Sequence, residues 1–90
     1  MSRQIDKGTI DHFLSELGKH LTLPTQLCVI GSGAAILSGQ PDRQTPDLDI
    51  WHQQSDFDSG DLRQACEACG MLYDPKEDVD PDAVYLQIIR

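Results

Sequence analysis

Two aspartates stand one residue apart in Asp47-Leu48-Asp49-Ile50-Trp51. The stretch alternates polar and apolar, as a half-buried strand does, so Asp47 and Asp49 are expected on one face and Leu48 and Ile50 on the other. Two carboxylates this close repel, and one resists ionisation unless a cation sits between them. Hard oxygen ligands at that spacing suit Mg²⁺, which commonly takes one or two carboxylates together with substrate phosphates. Upstream, Gly31-Ser32-Gly33 follows an apolar run and precedes Ala34-Ala35-Ile36-Leu37. A glycine turn that opens a helix leaves backbone N–H groups free and keeps side chains away from a phosphate. Ser32 adds a hydroxyl. A triphosphate could lie across this turn with its metal at Asp47 and Asp49. The metal would neutralise charge on the phosphorus group and bring an attacking hydroxyl close.

The rest of the chain must position these two segments. Ile10, Phe13, Leu14, Leu17 and Leu21 form one helical stripe and predict a helix over residues 9–21, with Thr9 as its N-cap. Leu23-Pro24-Thr25 ends it. The apolar run 27–30 reads as a buried strand. Residues 31–33 read as a tight turn and 34–38 as a short helix, with Gly39 where a C-terminal cap would be. Residues 40–46 form a polar loop with two prolines, and the strand 47–51 follows. Ser59 or Asp61 opens another helix that runs to about Cys69 and closes at Gly70. Residues 74–82 form an acidic, solvated loop, and 83–89 a third strand. This order predicts an α/β or α+β fold: a small mixed sheet of about three strands with helices packed on it.

Ninety residues are enough for one small domain, with a core of little margin. Seven basic against 15 acidic residues give a net charge of −8, which argues against loose binding to nucleic-acid backbones. It does not argue against a site whose metal supplies positive charge locally. No apolar run approaches a membrane span, and the first residues lack the apolar core of a signal peptide. Three cysteines without a secretion signal point to a reducing, cytoplasmic setting. A strand at the extreme C-terminus suggests that residues 1–90 are the N-terminal, active-site half of a domain that continues.

The ordered set Val29-Ile30-Gly31-Ser32-Gly33-Ala34-Ala35-Ile36-Leu37-Ser38-Gly39, then Arg43-Gln44-Thr45-Pro46-Asp47-Leu48-Asp49-Ile50, resembles the nucleotidyltransferase superfamily of polymerase-beta-like fold. Within it the chain looks most like the AbiEii-like bacterial proteins, toxin components of toxin–antitoxin and phage-defence loci. Their pattern is an apolar strand, Gly-Gly or Gly-Ser, a small-residue helix, a glycine, Arg-x-Thr and Asp-x-Asp. Gly31, Ser32, Gly39, Arg43, Thr45, Asp47 and Asp49 occupy those places. The resemblance implies transfer of a nucleotidyl group from a nucleoside triphosphate to a hydroxyl acceptor, with Mg²⁺ at one or two metal positions. Asp47 and Asp49 would be the catalytic metal ligands. Gly31, Ser32, Gly33, Arg43 and Thr45 would form the nucleotide-binding set. It also implies a third acidic residue on the next sheet strand. None lies within residues 83–89, where Gln87 is the polar candidate and Asp82 stands just before.

Other readings are weaker. A dinucleotide-binding glycine loop would need glycine or alanine at Ile36, a longer helix than Gly39 and Pro41 allow, and an acid that ends the second strand rather than beginning it. Cys66-x-x-Cys69 has no second pair to complete a zinc site and sits among small packing residues. The acidic loop has no glycine where a calcium-binding loop turns, and Pro75 and Pro81 interrupt it. His12, His20 and His52 are scattered. Two functions remain. One is the metal-dependent transferase. The other is a non-catalytic module of the same fold that acts through a protein partner, such as the other member of a toxin–antitoxin pair. The missing third acid favours the second, and the intact Gly-Ser and Asp-x-Asp favour the first.

Overall fold

The computed structural model describes residues 4–77 and 80–90. Its elements run α1 (Lys7–Lys19), β1 (Val29–Ile30), α2 (Gly31–Leu37), β2 (Asp47–Trp51), a 3₁₀ turn (His52–Gln54), α3 (Ser59–Ala68), β3 (Leu72–Tyr73) and β4 (Tyr85–Ile89). The four strands form one mixed sheet in the order β1-β2-β4-β3. β1 is antiparallel to β2, while β2 and β3 are both parallel to β4. The fold is thus the expected small mixed α/β arrangement, with one more strand than the sequence announced. β3 is only two residues long, and Leu72-Tyr73 carries no alternation by which to recognise it.

Alternation in β2 and β4 divides the sheet into two chemically different faces. Leu48, Ile50, Leu86 and Ile88 are buried on one, with Val29 packed beside them. Against that face lie Ile10, Phe13 and Leu17 of α1, Ile36 of α2, and Leu62, Ala65 and Cys66 of α3. The other face carries Asp47, Asp49, Tyr85 and Gln87, all half-buried.

Several boundaries differ from the sequence expectation for local reasons. α1 begins two residues before Thr9, because Asp6 is the cap: its Oδ1 accepts from the Thr9 N–H at 2.8 Å and the Thr9 hydroxyl at 2.9 Å. Leu14 and Leu21 are 41% and 42% exposed, so the buried stripe is only Ile10, Phe13 and Leu17. α3 opens at Ser59 as expected, and its cap is the residue before, Asp58, whose side chain accepts from the Gly60 N–H. Asp61 is instead buried and accepts from the Thr22 N–H at 3.0 Å, clamping the segment after α1 onto α3. β1 is shorter than 27–30 because the 3₁₀ turn interrupts its partner strand; there the Cys28 N–H donates to the Ser55 hydroxyl at 2.8 Å. Cys66 packs in the core and burial pushes its thiol up to about 12, so the packing reading of this cysteine holds.

Residues 31–33 are not a separate turn. They form the first turn of α2, which starts directly where β1 ends. Gly33 is buried, and a Cβ there would stand 2.6 Å from Leu48 Cδ1 and 3.1 Å from Val29 Cγ1. The missing side chain lets α2 lie flat on the sheet. At the other end, Gly39 adopts φ 134 and the Gln40 N–H returns to the Ala35 carbonyl at 3.0 Å, closing the helix as the glycine predicted.

The glycines therefore respond differently to one substitution. Gly33→Ala is expected to cost about 1–3 kcal/mol through overpacking against Leu48. Gly18→Ala, in α1 with nothing near its Cβ position, is expected to gain about 0.5–1 kcal/mol from helix propensity. Urea denaturation of the two variants measures both, and equal effects would refute the packing assignment.

Candidate active site

Asp47 and Asp49 lie side by side on the open face of the sheet, as the alternation requires. Each is held from a different element. The Thr45 hydroxyl donates to Asp47 Oδ1 at 2.9 Å. Thr45 is itself buried and locked to Ile5 by a pair of backbone hydrogen bonds, so the approach to β2 is fixed before the first carboxylate. Asp49 lies against the start of α2. The ladder pairs Ile30 with Asp49, and a Cβ on Gly31 would stand 3.0 Å from Asp49 Oδ2. Gly31 also has φ 69, a left-handed backbone that glycine adopts without cost. Both facts require glycine here, independently of any ligand.

The electrostatics follow from this crowding. Burial, then the Asp47 charge, then a hydrogen bond shared with Asp47 push the Asp49 carboxyl up to about 6. Tyr85, opposite Asp47 on β4, has its phenol raised by burial and by both carboxylates. Asp49 therefore resists ionisation beside Asp47, at a place where a cation could sit. Among the described residues no group of three His, Cys, Asp or Glu side chains gathers to hold a metal. Two carboxylates nevertheless fit Mg²⁺, which keeps several waters and takes substrate phosphates as further ligands.

The other expected site residues divide. Gly31 and Ser32 stand at the open N-terminus of α2, where no side chain caps the helix. Gly33 has its missing side chain accounted for by packing. Thr45 orients Asp47. The exposed Arg43 donates to Gln40 Oε1 at 3.1 Å, within its own loop. Comparison with protein-family models, with curated proteins and with solved structures returned no match for this chain.

Tyr85 is a residue of this region that the sequence did not single out, and Gln87 stood there only as the polar candidate of the last strand. Tyr85 and Gln87 share the face with the aspartates because β4 runs parallel to β2, pairing Asp47 with Tyr85 and Asp49 with Gln87. Their own alternation puts them on one face together, but only the register says whose neighbours they are. The acidic loop is also misread at its first residue. Asp74 is not solvated: it is 7% exposed, and its Oδ2 lies 2.7 Å from Lys76 Nζ and 3.1 Å from Arg90 Nη2. Glu77, Asp80 and Asp82 are exposed as expected, and Asp78 lies outside the described residues. Among the described residues no helix is long and apolar enough to cross a membrane.

The raised Asp49 carboxyl has a sign that can be checked. Folded protein retains this proton in a window, about pH 4 to 6, where the unfolded chain has released it. The stability contributed by the group is full below about pH 4 and is lost as pH rises through about 6. Asp49→Asn cannot ionise. It is expected to match the parent protein near pH 4 and to exceed it by about 1 kcal/mol at neutral pH, allowing for solvent screening at a half-exposed site. Denaturation curves across this range measure the gap; a gap independent of pH would mean that the Asp49 carboxyl is not raised in the folded protein.

Proposed function

We propose that this chain carries the active site of a nucleotidyltransferase-type domain, which transfers a nucleotidyl group from a nucleoside triphosphate to a hydroxyl acceptor. The observation that supports this most is the placement of Asp49. It shares a sheet face with Asp47, and it touches the glycine that opens an uncapped helix. Asp47 and Asp49 would hold a divalent cation, and the amides of Gly31 and Ser32 with the Ser32 hydroxyl would face the phosphates. Thr45 keeps Asp47 turned toward its neighbour. When bound, the cation would neutralise the phosphates and align the acceptor hydroxyl. The acceptor hydroxyl would give up its proton to water, its oxygen would bond to the α-phosphorus, and the bond from that phosphorus to the oxygen bridging to the β-phosphorus would break, releasing pyrophosphate. A net charge of −8 fits a site that meets a triphosphate through such a cation. The free cysteines suit the reducing interior of a cell.

One feature favours the second reading, a fold-sharing module that works through a protein partner. An apolar groove of about 270 Å³ is lined by Leu14, Leu17, Leu21 and Leu27, and Leu23 nearby is 57% exposed. Apolar surface gathered in this way is a common mark of a protein contact.

Binding of metal and nucleotide separates the two readings. If the carboxylates bridge to the triphosphate through a cation, each ligand strengthens the other reciprocally, by about 5- to 150-fold. ATP titrated with and without Mg²⁺ should show this coupling in the parent protein and lose most of it in Asp49→Asn. The amide signals of Gly31 and Ser32 should shift only when both ligands are present. Silent amides together with absent coupling would leave the partner-binding module as the function.

A further inference from the structure

Gly18 is a glycine for which the fold gives no reason. It sits in the last turn of α1 without a left-handed backbone. A Cβ there would meet nothing within 4 Å among the described residues. Glycine inside a helix lowers stability relative to alanine, because it loses more backbone freedom on folding. At Gly31 and Gly33 close contacts explain the missing side chain, but at Gly18 the chain itself supplies none. The notch that Gly18 leaves lies in the apolar groove of about 270 Å³, between Leu14, Leu17, Leu21 and Leu27.

The shape of this surface says what fits it. Leu14 stands one helical turn before Gly18, so a projecting side chain and a notch share one stripe of α1. Leu14 is 41% exposed, and Leu21 at the end of the stripe is 42% exposed. A second α1 laid antiparallel on the first seats each Leu14 in the other's notch, and one two-fold axis makes both contacts together. Charge complementarity favours the same occupant. The chain carries −8, yet α1 is neutral, with Lys7 and Lys19 balancing Asp11 and Glu16. Most of the acids that would repel a copy therefore lie outside α1. Asp11 comes before Leu14, and Lys19 comes after Gly18. Antiparallel helices consequently bring Asp11 of each copy toward Lys19 of the other, opposite charges at both ends of the contact.

We propose that the α1 groove is a homodimer surface, in which α1 of a second copy packs antiparallel on α1 of the first and Leu14 of each fills the notch at Gly18 of the other. α1 covers the sheet face opposite to Asp47 and Asp49. The assembly thus leaves the carboxylates of both copies uncovered, and it holds whichever function they serve. A helix of 13 residues is about 20 Å long. Such a contact falls at the small end of specific interfaces, so the dimer is weak and reversible.

Sedimentation equilibrium of the full chain, from micromolar to millimolar protein, tests this. The parent should pass from monomer to dimer across that range. Gly18→Gln fills the notch and Leu14→Gln removes the side chain that enters it. Each should weaken the dimer roughly tenfold or more, since the symmetry counts every contact twice. Melts of dilute monomer should show Gly18→Gln at least as stable as the parent, because glutamine is the better helix former. Loss of the dimer together with a gain in fold stability is not expected of a merely structural glycine. Asp11→Lys and Lys19→Glu should each weaken the dimer, and the double variant should recover most of the parent affinity. A parent that stays monomeric at millimolar concentration overturns the proposal and leaves the groove to a different protein. A dimer that Gly18→Gln and Leu14→Gln leave unchanged also overturns it, by placing the contact on another surface. A double charge swap without recovery overturns the antiparallel arrangement.

Discussion

The parallel pairing of Asp47–Trp51 with Tyr85–Ile89 is the constraint on which the remainder of this molecule hangs. Parallel neighbours cannot be joined by a tight turn and need a crossover. Here the crossover is the 3₁₀ turn, α3 and the short strand β3. The pairing stacks Leu48 and Ile50 beside Leu86 and Ile88, and that apolar block is what α1, α2 and α3 cover. The period of two then leaves no freedom on the reverse side. Asp47, Asp49, Tyr85 and Gln87 must share the open face, because slipping either strand by one residue would bury the carboxylates and expose the leucines and isoleucines.

Two aspartates in this small structure answer to opposite forces. Burial alone would raise the Asp74 carboxyl, but hydrogen bonds from Lys76, the Ile88 amide and Arg90 outweigh it and hold the group below its ordinary value. Asp49 also suffers burial, and its nearest charged neighbour is another carboxylate, so it is pushed up to about 6. The first is a satisfied structural anchor that ties the end of β3 to the end of β4. The second is left with an unmet demand for positive charge. In a chain with 15 acidic residues, that difference in partners, rather than the number of acids, sets a candidate site position apart from a supporting one.

The glycines follow the same logic of contact. Gly33 serves the core face, where its missing side chain admits Leu48. Gly31 serves the open face, where its missing side chain and left-handed backbone admit Asp49. Two residues apart in the chain, they let one helix touch both the apolar and the acidic side of β2. A single larger residue at either place would separate the helix start from the strand.

Whatever depends on local period and local chemistry could be read directly from the residues. The alternation in Asp47-Leu48-Asp49-Ile50 was enough to place two carboxylates on one face, and Gly39 and Gly70 marked helix ends that hold in the structure. The stripe of Ile10, Phe13 and Leu17 announced a buried helix face, though its period could not say where cover stops, so Leu14 and Leu21 were misjudged. Whatever depends on pairing between distant segments became visible with the folded chain. Strand register is a relation between two segments, and nothing in residues 47–51 or 85–89 alone sets Gln87 beside Asp49. Asp74 looked like one acid of a solvated loop, because burial of a charge is decided by the partners that meet it. Those partners, Lys76, Gln87 and Arg90, come together only once β4 lies along β3.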